Sequence, residues 1–229
     1  MMGALLSNVS SRVSPDPAPL GLAAFGGTTF MLSLFNSGIS PSLISTVLPT
    51  AFLFGGVVQL VAGIIEFRQG GTFGATGFSA FGGFWMSFAV YERLIVPALP
   101  PGRVHTATGV FLVPFAVIAF YLAIATLRTN AVILTLLIGA TATLTILCIA
   151  SFLDSDELTR AGGASGIATS AVAFYGSFAG LVNSTWGRSV IPTFPDPGRR
   201  LSHWAHRKPR PLSVTSSIGD HEALEEDEV

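Results

Sequence analysis

Within the apolar stretches of this 229-residue chain the polar side chains are few, and most are neutral. Thr28, Thr29, Asn36, Gln59, Thr76, Ser79, Tyr175 and Asn183 can each donate a hydrogen bond without carrying charge. Such donors suit a small polar or anionic solute that is handled without a salt bridge. No Lys, Arg or His falls in the middle of an apolar stretch. The same residue types also bond their own backbone or a neighbouring helix, so each has a structural reading as well. Two carboxylates, Glu66 and Glu92, close apolar stretches, with Arg68 and Arg93 nearby. They can relay protons or form solvated interfacial pairs. Residues 163–166 read Gly-Ala-Ser-Gly, a spacing used by membrane-embedded serine nucleophiles. That chemistry needs a histidine on a later membrane helix. The later histidines, His203, His206 and His221, all lie in a polar tail, so no catalytic residue is expected. Nothing in the chain calls for a cofactor or a metal ion.

The elements that must position these groups are membrane spans. Half of the residues are hydrophobic and only 11% are charged, against about 25% in a typical soluble domain. A bilayer span needs about 20 apolar residues. Six stretches qualify: 18–38, 43–66, 74–96, 105–127, 130–153 and 161–185. The charged residues between Pro17 and Thr185 all fall at or near stretch ends, where charge is tolerated. Pro49 sits near the start of the second stretch, and Pro114 lies inside the fourth, where a kink is expected. The fold class is therefore an all-α integral membrane protein of six transmembrane helices with short loops.

Three units follow: an N-terminal segment (1–15), the six-span domain (16–194) and a tail (195–229). The tail runs from basic and proline-rich to acidic at 222–229 and is expected to be disordered. In the N-terminal segment Arg12 follows the weakly apolar part, the reverse of a secretory signal. An even span count puts both termini on one side. The basic tail favours the cytoplasmic side of a cell membrane. Net charge is −1, so overall charge points to no nucleic-acid partner. The single cysteine, Cys148, allows no disulfide within the chain.

Three motifs stand in order. Residues 16–22 read DPAPLGL. Pro17 and Pro19 are tolerated at a helix start, and Asp16 can cap the first turn and complement its dipole. Leu20 and Gly21 complete the motif's core. Residues 55–85 carry Gln59, Ala62, Gly63 and Glu66, then Thr72, Phe73, Gly74, Thr76, Phe78, Ser79, Gly82, Phe84 and Trp85. Residues 186–192 read WGRSVIP. Together these resemble the acetate uptake transporter family, the succinate–acetate permeases also called YaaH-like. The chain departs from that family's pattern at Asp16 (usually Asn), Gly77 (Ala) and Phe81 (Tyr).

The resemblance implies transport of small monocarboxylates, chiefly acetate and also succinate, coupled to protons. It implies an apolar constriction built by Phe25, Phe81 and Leu144, acting as a gate that dewets. It makes Glu66 the candidate for proton coupling and suggests a homohexamer with one path per protomer. A passive carboxylate channel would use the same parts, and a non-transporting sensor is a third reading. Gly162/Gly166 and Gly176/Gly180 give G-x-x-x-G spacings that serve close packing within or between protomers.

Overall fold

A computed structural model describes residues 15–194. The expectations for the N-terminal segment before residue 15 and for the tail lie outside the described residues. Six helices make up this part of the chain. Helix α1 is Ala18–Asn36, and α2 occupies Pro41–Arg68 in several pieces. Helix α3 is Thr72–Val90, continued by a π-helical segment, Tyr91–Ile95, and a 3₁₀ turn, Val96–Ala98. Helices α4, α5 and α6 are Val104–Ala125, Ala131–Leu153 and Asp156–Thr185.

Five of the six are long and apolar enough to cross a membrane by length and composition; α3 is not among them. Its phenylalanines are diluted by glycine, serine and threonine. This helix buries Phe81, Phe84, Trp85 and Phe88 inside the protein. By contrast α4 exposes Val110, Val113, Val117, Phe120 and Ile124. Spaced by three or four, these form one apolar stripe facing outward, as lipid contact requires.

The helix ends have local causes. The backbone N–H of Ala18 donates to Asp16 Oδ1 at 2.9 Å, although the cap position itself is Pro17. At the far end of α1 the chain turns through Gly38 at φ +100°, a conformation open to glycine. Asn130 caps α5 by accepting from the N–H of Ile133 at 3.0 Å. Ser155 caps α6, with Asp156 and Glu157 in the first turn at the positive end of the dipole. The sixth helix therefore starts five residues before its predicted start at 161: the charged cluster is its first turn. Thirty residues give it about 45 Å. Pro49 lacks the N–H that would continue a regular ladder, and a π-helical stretch, Ala51–Val58, begins two residues later. Helix α4 runs through Pro114 as one helix.

The helices close into a ring in the order α4, α5, α6, α1, α2, α3. Small residues let most neighbours approach closely. A Cβ on Gly82 of α3 would lie 2.9 Å from Leu60 N and 3.0 Å from Gly56 O, both backbone atoms of α2. The G-x-x-x-G glycines of α6 pack inside the protomer: Gly162 and Gly166 face α5 and α1, and Gly176 and Gly180 face Leu22 and Pro19. The last seam, α3 against α4, is made by rings instead. Tyr91 stacks on Phe111 with centroids 4.8 Å apart, and Phe84 meets Phe115 at 4.9 Å. Tyr91 Oη and Thr108 Oγ1 share a 3.0 Å hydrogen bond.

Gly82→Ala should force α2 and α3 apart, because the obstructing atoms are backbone. The expected loss is about 1–3 kcal/mol, read as a lower thermal midpoint in detergent. Gly83→Ala, whose Cβ would meet nothing within 4 Å, should leave the midpoint unchanged or raise it.

Candidate functional site: two cavities joined at an aromatic pair

Two cavities lie among the described helices. The larger, about 330 Å³, runs from the middle of the bundle toward the end holding the α1–α2, α3–α4 and α5–α6 connections. Its walls include Thr29, Asn36, Trp85, Thr143 and Leu144, with Glu92, His105 and Asp156 near the mouth. The smaller, about 40 Å³, lies toward the opposite end and is lined by Leu22, Gln59, Phe73, Gly74, Gly77, Phe78 and Leu136 among others. Phe25 and Phe81 line both. Their rings meet edge to face, centroids 5.1 Å apart, and both are buried. The pair therefore stands between the two spaces. Leu144 lines the larger cavity alone.

The opening motif sets this pair in place. Ser177 of α6 donates to Pro19 O at 2.6 Å, and Pro19 sits against Gly180. Gln69 donates to Pro15 O at 2.9 Å, tying the end of α2 to the same corner. Gly21 lies under the Phe78 ring, which would obstruct any Cβ there. One turn on from Gly21, Phe25 reaches Phe81. Leu20 is 46% exposed and faces outward.

Among the described residues three buried side-chain polar atoms have no hydrogen-bond partner: Thr29 Oγ1, Gln59 Oε1 and Trp85 Nε1. Leaving such a group unpaired costs roughly 1–3 kcal/mol, so native proteins rarely do it. All three residues line a cavity: Thr29 and Trp85 the larger, Gln59 the smaller. Thr28, one residue before Thr29, shows the ordinary alternative. Its hydroxyl donates to Ala24 O at 2.9 Å.

The remaining sequence candidates fall elsewhere. Thr28, Thr76, Ser79 and Tyr175 line neither cavity. Thr76 is exposed and donates to Thr72 O at 2.8 Å. Ser79 packs against Gly63 at the α2–α3 contact. Tyr175 donates to Pro192 O at 2.7 Å. Asn183 accepts from the N–H groups of Val190 and Ile191 at 2.7 and 2.8 Å. These two residues therefore staple the WGRSVIP segment back onto α6. Glu66 lines neither cavity, but its carboxyl packs against Gly74, which does line the smaller one. Ser165 shares a 2.9 Å hydrogen bond with Thr143. Sequence reading passed over Trp85 as a site residue. The available signal was its place four residues after Phe81, on the same helical face.

The profile of the GPR1/FUN34/yaaH family matches residues 2–197. The chain belongs to that family. It is a family of membrane transporters, not enzymes, and the chain is a multi-pass membrane protein. The succinate-acetate/proton symporter SatP of Escherichia coli is 31% identical over 179 residues, covering 77% of this chain and 94% of SatP. The ammonia transport outward protein 2 of Saccharomyces cerevisiae is 37% identical over 186 residues, covering 79% of this chain and 65% of that protein. The chain spans 66% and 65% of the lengths of two yeast relatives that it matches. A solved structure, of the bacterial acetate channel SatP, superposes with a TM-score of 0.74 at 29% identity, covering 79% of this chain and 99% of that one.

An unpaired buried donor contributes nothing to folding. Thr29→Val, which keeps the side chain's volume, should therefore leave the thermal midpoint of the ligand-free protein unchanged or raised. A clear drop would mean that the Thr29 hydroxyl is bonded in the fold.

Proposed function

We propose that the chain carries short monocarboxylates, acetate above all, through each protomer together with a proton. The observation that supports this most is the pairing of the two cavities at Phe25 and Phe81, with Thr29 and Trp85, whose buried polar atoms are unpartnered, among the residues lining the larger. Trp85 Nε1–H and the Thr29 hydroxyl are neutral donors matched to a carboxylate. The apolar pair passes a small solute and resists a continuous water column.

Charge argues for the proton. A monocarboxylate with a pKa near 4 is ionised at neutral pH. Taking that charge past two phenyl rings requires desolvation without a countercharge. The larger cavity's charged lining is Glu92, His105 and Asp156, with no Lys or Arg, and the smaller has none. The acid crosses more easily when protonated. Glu66, whose carboxyl packs against Gly74 of the smaller cavity, is the group we assign to exchange that proton. The passive-channel reading keeps the same parts and drops the coupling. At Phe81 a phenyl ring makes the step drier than a phenol, which favours monocarboxylates over dicarboxylates.

Proteoliposomes with labelled acetate test this directly. An inward proton gradient should drive accumulation above equilibrium; mere equilibration would leave the passive channel. Trp85→Phe combined with Thr29→Val should lower acetate uptake by about tenfold or more, since each lost bond to a charged group removes about 1.5–3 kcal/mol. Glu66→Gln should flatten the pH dependence of uptake, and an intact profile would remove Glu66 from the coupling. Phe81→Tyr should raise succinate uptake relative to acetate.

A further inference from the structure

The mouth of the larger cavity carries one group that can become positive. His105 lines it together with Glu92 and Asp156, and no other residue lining either cavity can be a cation. Arg93, Arg103 and Arg160, the arginines nearest in the chain to these residues, line neither. His105 Nδ1 lies 3.0 Å from Asp154 Oδ1, and a carboxylate oxygen only accepts. Nδ1 therefore keeps its proton, and Nε2 is the ring nitrogen left to gain or lose one. Asp154 closes α5 with φ at +49°, a left-handed conformation that Asp and Asn adopt more readily than most residues. With 55% of its side chain exposed, His105 is open to water. An anion entering here approaches two cavity-lining carboxylates and no fixed positive charge. Like charges oppose its entry, and the phenyl rings beyond oppose it further. Gaining a proton at the mouth removes both costs.

We propose that His105, held by Asp154, passes the proton to and from the substrate at the mouth of the larger cavity. The imidazolium gives its Nε2 proton to the carboxylate. That leaves a neutral ring, still bonded to Asp154 through Nδ1–H, and an un-ionised acid that moves inward. A proton from the medium recharges the ring. The reverse step ionises an acid leaving by the same route. His105 serves this end of the path as Glu66 serves the other. This rests on the carboxylate-transport reading and assigns its proton exchange at one end.

The test is exchange of labelled acetate by the full chain in proteoliposomes, with the same neutral pH on both sides. His105→Ala should slow exchange by about tenfold or more, as loss of a positioned acid–base group does. Imidazole added to the medium should restore it and leave the unmodified protein unchanged. A side chain with a merely structural role would not be replaced by a free base. Asp154→Asn suits the same backbone conformation. It should move the fall of exchange with rising pH toward acid, because the imidazolium loses its countercharge. Exchange unaffected by His105→Ala, or slowed and not recovered by imidazole, would overturn the inference while leaving carboxylate transport intact. An unshifted Asp154→Asn profile would overturn the part given to Asp154. Absence of exchange in the unmodified protein would overturn both readings.

Discussion

The edge-to-face contact of Phe25 and Phe81 is the constraint on which the other features depend, because both cavities end at it. Two rings at 5.1 Å require their helices at a fixed separation and rotation. For α1 this comes from the corner where Pro19 packs on Gly180 and accepts from Ser177. For α3 it comes from Gly82 pressed onto the backbone of α2. Neither helix could drift by the width of a methyl group without opening the step or crushing it. The glycines of α3 and α6 thus set the spacing of the two rings as much as they set the fold.

Packing in a membrane cannot draw on the hydrophobic effect between helices, because lipid is as apolar as leucine. This chain packs in two other ways. Five seams rely on close backbone approach through small residues. The sixth, between α3 and α4, relies on Tyr91, Phe84, Phe111 and Phe115. The larger cavity lies beside this ring-built seam, and its mouth carries both carboxylates and His105, which pairs with Asp154 at 3.0 Å. Polar groups are charged at the mouth and become neutral, sparse and unpaired toward the rings. On the proposed function, that gradient is what an anion would meet on its way to losing its charge.

Much of the fold was legible because charge and hydrocarbon exclude each other. Glu66, Arg68, Arg103 and Arg128 mark helix ends that the structure keeps within a few residues. The exception, α6, shows the limit of that logic: Asp156, Glu157 and Arg160 are part of the helix because Ser155 caps it and acids suit a first turn. The site was less legible. Hydrogen-bond capacity is visible in a sequence, but whether it is used is not. Thr28 and Thr29 are adjacent and identical in type, and only the first is satisfied. Tyr175 and Asn183 have the right chemistry but spend it on residues 190–192, a fold-back that no periodicity encodes. Trp85 hid as one more aromatic in a phenylalanine-rich helix.

The central claim is that the unpartnered donors beside the aromatic pair hold the substrate's carboxylate. A structure determined with bromoacetate, whose bromine is located by anomalous scattering, tests it most directly. The account predicts the carboxylate within hydrogen-bond distance of Trp85 Nε1 and Thr29 Oγ1, on the larger-cavity side of Phe25 and Phe81. Ligand found only outside the ring of helices, with both donors still unpaired, would contradict it.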